Sequence, residues 1–114
     1  MLAPETYAYC RLNPSKVSPV DIENTFALIK EKEAWTLITT VEHAKKKGLP
    51  FDGTFKRITC QVESSLEAVG LTAALSEVLK QKGCSANVVA GFYHDHILVP
   101  ESQHKEALLA LKSI

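Results

Sequence analysis

His94, Asp95 and His96 are the residues whose types and spacing most invite a chemical reading. On a strand, residues i and i+2 face the same side, so the two imidazoles could share a metal ion with Asp95 turned away. Two nitrogens complete only half of a tetrahedral site, and no third ligand follows from the spacing. The run reads more simply as the polar tip of a hairpin, with Asp95 favouring the turn. Ser64 and Ser65 are the candidate nucleophiles. No histidine lies near them in sequence, and Ser64 is accounted for as a helix cap because Glu67 follows three residues later. No catalytic residue, metal site or cofactor is therefore assigned. Cys10, Cys60 and Cys84 are odd in number and lack metal-ligand spacing, so they read as reduced, small apolar fillers.

The totals exclude further classes. Lys plus Arg is 13 and Asp plus Glu is 13, a formal net charge of zero. Such a chain exerts no long-range pull on phosphate or on an anionic membrane. No apolar run approaches the ~18 residues of a spanning helix. The opening MLAPETYAYC lacks the form of a signal peptide, so a cytoplasmic protein is expected. Lys45, Lys46 and Lys47 could suggest a nucleic-acid patch, but positive charge at the negative end of a helix explains them as a solvated helix end. Tyr7, Tyr9 and Trp35 could form a base-stacking surface. Zero net charge and the lack of a basic aromatic strand motif argue against it, and these rings are expected to fill an interface.

The elements that must position these residues follow from periodicity. Residues 6–12 alternate, with Ala8, Cys10 and Leu12 on one side and Tyr7, Tyr9 and Arg11 on the other, so they form a half-buried strand. Residues 13–21 carry two prolines and read as a loop. Residues 26–30 and 34–39 read as a hairpin, with a short helix around residues 22–32 as the competitor. Thr39 is expected to cap a helix closed by the lysine run, with Gly48 in the left-handed position after it. A linker leads to a second strand, in which Arg57, Thr59 and Gln61 face the open side and Ile58, Cys60 and Val62 face the helices. A helix should run from Ser64 to about Gln81, with Gly70 in its second turn. Residues 87–92 are nearly all apolar, as in a central strand buried on both faces. Residues 93–95 turn into the strand 97–99, and a final helix opens at Glu101 or Ser102 with Ala107, Leu108 and Leu111 as its apolar stripe.

A weak internal repeat emerges. Strand, strand and capped helix occur at residues 26–47 and again at 87–112, each preceded by one strand. The first copy has only a proline-containing loop where the second has its long helix. The order β-α-β-β-α over the second half defines an α+β, ferredoxin-like antiparallel sheet with helices on one face. Two parts are expected: an incomplete half over residues 1–52 and a complete one over residues 53–114.

The runs SSLEAVGLTAAL and NVVAGFYHDHILVP, the closing amphipathic helix and the opening PETYAYCRL resemble small stand-alone ACT-domain proteins. In these an incomplete ACT-like half precedes a complete ACT domain. The resemblance implies a regulatory, non-catalytic module that binds an amino acid or related small molecule and acts as a dimer. It also implies a ligand site where the loop after the first strand meets a strand of a neighbouring domain. Mapped onto this chain, those residues are Glu63, Ser64, Ser65, Leu66 and Gly70 with Asn87, Val88 and Val89. A helix start offers amides and a positive dipole to a carboxylate, and Glu63 or Asn87 could receive an ammonium group. The loop ESSLEAVG departs from the Asp-containing, Gly-rich form of many regulatory ACT domains. The alternative is an assembly module that keeps the fold without a ligand.

Overall fold

The computed structural model describes residues 1–60 and 70–112. Alternation along the strands sets the architecture. The chain divides into two units, one formed by Glu5–Thr54 and the other by Met1–Pro4 with Phe55–Ile114. We refer to them as the N-terminal and C-terminal units.

In the N-terminal unit, β1 (Leu2–Leu12, from Glu5 onward), β2 (Thr25–Lys30) and β3 (Trp35–Thr40) form an antiparallel sheet in the order β2-β3-β1. The expected hairpin is present, with a register shift between Thr25 and Ala27. Ala8 and Cys10 pack with Ala44 of α2 (Val41–Lys47), so the apolar half of the first strand lies under a helix as its alternation requires. Thr40, not Thr39, caps α2, accepting from the His43 amide at 3.2 Å. Thr39 is fully buried and its hydroxyl donates to the Asn24 carbonyl instead, at 2.8 Å. Gly48 closes α2 in the left-handed region, φ 74°.

Residues 13–21 are not simply a loop. They hold a short 3-10 turn (Pro14–Lys16) and the start of a five-residue helix, α1 (Pro19–Glu23). Ser18 and Asp21 form a capping box, the Ser18 amide donating to Asp21 Oδ2 at 2.8 Å while the Asp21 amide donates to Ser18 Oγ at 3.4 Å. Asp21 is completely buried. Its Oδ1 accepts from His43 Nε2 at 2.7 Å, and its Oδ2 also receives the Lys47 ammonium and the Ser18 hydroxyl. His43 and Lys47 stand four residues apart on one face of α2, so the last turns of that helix grip the first turn of α1. Lys47 is thus drawn inward, and also donates to the Lys16 carbonyl, rather than standing in solvent with its neighbours. Burial alone would raise the Asp21 pKa, but the hydrogen bonds from Lys47, Ser18 and His43 outweigh it and hold the carboxyl well below its ordinary range.

In the C-terminal unit, β4 (Phe55–Thr59), β5 (Asn87–Ala90) and β6 (Asp95–Pro100) pair antiparallel in the order β4-β6-β5. The chain start lies beside β4: Thr59 donates its amide to the Met1 carbonyl at 2.8 Å, and Lys56 reaches the Pro4 carbonyl at 2.9 Å. Helices α3 (Leu71–Gln81) and α4 (His104–Leu111, after a 3-10 turn at Glu101–Gln103) cover one face. Ile58, Ile97 and Val99 from the strands meet Leu75 and Leu79 of α3 and Ala107 and Ala110 of α4 in one core. Val78 and Leu108 pack at its margin, while Ala73 and Ala74 are exposed, so among the described side chains α3 packs through Leu75, Val78 and Leu79. The expected helix does not pass through Gly70, whose φ of 103° is not helical; α3 begins at Leu71. The proposed cap at Ser64 lies outside the described residues. β5 also differs from expectation. It pairs only with β6 among the described residues and its residues are half-buried or exposed, so it is an edge strand rather than a central one.

Removing the buried carboxylate strands the His43 ring and the Lys47 ammonium, and takes their acceptor from the Ser18 amide and hydroxyl. Asp21→Ala should lower stability by about 3 kcal/mol, the lower end for a broken buried ion pair, since Lys47 keeps some access to water. A depressed carboxyl contributes stability above its unfolded value, lost as the pH falls through the folded one. The difference between parent and variant in urea midpoint should therefore shrink between neutral pH and about pH 3.

Candidate functional site

β4 and β6 bring three polar side chains together on the face of the C-terminal sheet away from the helices. Thr59 stands opposite His96 and Arg57 opposite Leu98. His96 in turn stands opposite Val89, and Leu98 opposite Asn87. Directly paired residues share a face, so Arg57, Thr59, His96, Leu98, Asn87 and Val89 form one surface. Ile58, Ile97 and Val88 form the other, against α3 and α4.

Thr59 Oγ1 lies 3.0 Å from His96 Nδ1, and Arg57 Nη1 lies 3.3 Å from Thr59 Oγ1 and 3.4 Å from His96 Nδ1. A guanidinium can only donate, so His96 Nδ1 accepts and the neutral ring carries its proton on Nε2. Burial first, then the Arg57 charge and His94, lower the His96 pKa; Asp95 opposes them. The β5–β6 hairpin closes beside this cluster. Gly91 donates its amide to the His94 carbonyl at 2.9 Å, and Cys60 donates to the Asp95 carbonyl at 2.9 Å. A Cβ on Gly91 would lie 2.8 Å from the His94 carbonyl oxygen and 3.4 Å from His96 Nε2, so the turn and the ring both need glycine there. Phe92 and Tyr93 project from the tip, exposed and packed edge to face on each other at 5.0 Å.

The residues expected to hold a ligand divide into groups. Glu63, Ser64, Ser65 and Leu66 lie outside the described residues. Gly70 is not within a second helical turn; it precedes α3 in the left-handed region, and its carbonyl accepts from the Ala74 amide at 2.8 Å. Gly70 has no side chain to cap α3, and no other described residue does so. Asn87 and Val89 face the Arg57–Thr59–His96 surface, whereas Val88 turns to the core. His94 lies in the turn and His96 in β6, so they are not successive same-side residues of one strand. His94 Nδ1 is buried with no hydrogen-bond partner among the described residues. No group of three or more His, Cys, Asp or Glu that could hold a metal ion occurs among the described residues.

The cysteine thiols are free, and burial pushes each one's pKa up, with Asp95 adding to this at Cys60 and Glu106 at Cys84. The three aromatics do not share a platform. Trp35 pairs with Leu12, which puts it on the face of Ala8 and Cys10, away from Tyr7 and Tyr9. Tyr7 is buried, 6.0 Å from the Phe26 ring, and Lys30 lies over the Trp35 ring at 4.9 Å. Sequence reasoning missed two groupings, Asp21 with His43 and Lys47, and His96 with Arg57 and Thr59. Alternation had placed Arg57 and Thr59 together on the open face, but their partner depended on the register of β6.

With this geometry in hand, comparison with known proteins is specific. Two family models, each described as an ACT domain, match residues 1–56 and 55–113. The chain belongs to the ACT-domain family. Among solved structures it is similar to a protein of unknown function from Vibrio cholerae, described as a possible transport protein. The two are 42% identical over 97% of this chain and 84% of that one, with a TM-score of 0.87. A protein from Agrobacterium tumefaciens shares the fold at 17% identity, over 96% of this chain and 82% of that one, with a TM-score of 0.76. The structure of aspartokinase alpha and beta subunits does so at 10% identity, over 99% of this chain and 94% of that chain, with a TM-score of 0.65. No curated protein matches the chain. No helix among the described residues is long and apolar enough to cross a membrane.

The two glycines should respond differently to alanine. Gly70→Ala meets open space and only the cost of a left-handed backbone, about 1–2 kcal/mol. Gly91→Ala meets a carbonyl oxygen that cannot swing aside, so an overpacking cost of about 1–3 kcal/mol is expected, with the His96 ring resonances displaced. Urea unfolding and histidine NMR of both variants check this.

Proposed function

We propose that the protein is a non-catalytic regulatory module that binds an amino acid or a related small metabolite and acts as a homodimer in the cytoplasm, without nucleic acid or membrane as partner. What carries the reading is membership of the ACT family over both halves of the chain, since ACT domains are typically ligand-binding regulatory modules. The proposed site comprises Glu63, Ser64, Ser65, Leu66 and Gly70, with Asn87, Val88 and Val89. Two features support it. Among the described residues no side chain caps the start of α3, and the first amides of a helix have no partner within it, which suits a carboxylate. Asn87 is exposed on β5, which pairs only with β6 among the described residues, and its side-chain carbonyl could receive an ammonium group. Val88, packed against the core, would contribute through its backbone.

The alternative, an assembly module without a ligand, draws on β5. An apolar edge strand with one side unpaired among the described residues is a template for another strand.

A thermal-shift screen of amino acids separates the two. A ligand at about a hundred times its dissociation constant adds ~2.7 kcal/mol to the folded state and raises Tm by several degrees. Ser65→Arg should abolish that rise while leaving the Tm of the free protein unchanged. A flat screen for a chain that is dimeric in solution favours the assembly reading, and undiminished binding by Ser65→Arg removes the site assignment.

A further inference from the structure

Gln103 occupies the N-cap position of α4 and does not cap it. Serine, threonine, asparagine or aspartate there would satisfy the first amides of the helix, and Glu106, three residues later, would complete the reciprocal pair. The longer side chain turns to another part of the chain instead. Its Nε2 donates to the Gly83 carbonyl at 3.0 Å and its Oε1 accepts from the Ser85 amide at 3.3 Å, across twenty and eighteen residues. Only one orientation of the side-chain amide gives both bonds, so its donor and acceptor ends are assigned by their partners. A local preference set aside for a distant contact marks a position that the tertiary structure uses. The contact lies where the sheet can no longer hold the chain. Asn87 stands opposite Leu98 and Val88 opposite Ile97. The same register carried back by two residues sets Ser85 opposite Pro100, which has no amide, so β6 cannot supply a donor there. Gln103 bonds the backbone on both sides of Cys84 with one donor and one acceptor, as a further strand residue would. The Cys84 side chain is itself buried in the core, and its amide closes α3 on the Leu79 carbonyl at 2.9 Å.

We propose that Gln103 is the positioning residue of β5. That strand has four residues and, among the described residues, pairs only with β6. A slip of one residue would turn Asn87 and Val89 from the open face to the core side. Gln103 fixes the backbone two residues before Asn87, and so sets where the strand begins and which face those side chains present. It acts through β5 and not on a ligand. Its importance for binding rests on the proposed site, to which Asn87, Val88 and Val89 belong; its hold on β5 does not.

The test uses the whole chain in three forms: the parent, Gln103→Met, which keeps the length and loses both bonds, and Gln103→Ser, which loses both bonds but offers α4 a capping hydroxyl. Amide exchange is followed at Ser85 and along β5. The Cys60 amide, which donates to the Asp95 carbonyl, is the reference for the rest of the unit. Two solvent-accessible hydrogen bonds of ordinary worth predict about a tenfold loss of protection at Ser85 and β5 in Gln103→Met, with Cys60 unchanged. Gln103→Ser should lose the same protection at Ser85 and β5 while its urea midpoint falls less than that of Gln103→Met. In both variants the side-chain amide resonances of Asn87 should move. Unchanged protection along β5 overturns the proposal, because β6 alone then places the strand. An equal loss at Cys60 overturns it too, because Gln103 then only adds to the stability of the whole unit. The binding reading is judged separately. With any amino acid that raises the Tm of the parent, Gln103→Met should need a higher concentration for the same rise. A flat screen removes the ligand, and the exchange result still decides the role of Gln103.

Discussion

The two-residue alternation of β-strands is the constraint on which the C-terminal unit depends. It sends Ile58, Ile97 and Val88 beneath α3 and α4, and sends Arg57, Thr59, His96, Asn87 and Val89 to the other side. A shift of one residue between β4 and β6 would bury a guanidinium among leucines and expose the core row, so the apolar face pins the register. The polar row is thereby aligned as a consequence of packing on the opposite face. The chemistry of His96 is inherited from the burial of Ile97 beside it.

The N-terminal unit solves a different problem. Its first helix has five residues where the counterpart in the other unit has eleven described ones, so it offers little apolar surface to hold it down. A buried carboxylate takes over part of that work. The Asp21 hydrogen bonds to Ser18, His43 and Lys47 fasten α1 to α2, with a strength comparable to one fully buried leucine, whose truncation costs ~3 kcal/mol. Such a network tolerates less than an apolar contact, because each partner left alone must carry its own desolvation. The two copies of the repeat thus keep the same order of elements with different forces: apolar stripes in one, a charge cluster in the other.

This division bears on function. A short α1 fastened by its own lysine leaves the N-terminal unit with a helix start already engaged, Ser18 and Asp21 satisfying its amides. In the C-terminal unit α3 follows a left-handed glycine, and no side chain caps it among the described residues. The asymmetry favours the C-terminal unit as the one that receives a ligand in the proposed reading.

Much of this was legible in the residues themselves. The order of strands and helices, the apolar rows of β1 and β4, the left-handed Gly48 and the ACT resemblance all rest on patterns a few residues long, whose physics is local. The misplacements share one cause. The cap of α2 moved from Thr39 to Thr40 because Thr39 found a better acceptor at Asn24, fifteen residues away. β5 looked central by composition, yet its position at an edge depends on what pairs with it. Asp21 joined His43 and Lys47 across more than twenty residues, and His96 joined Thr59 across thirty-seven. Spacing along the chain carries no information about such pairs. They are set by strand register and by which helix faces meet, and those are settled only when the whole apolar surface of each unit is buried at once.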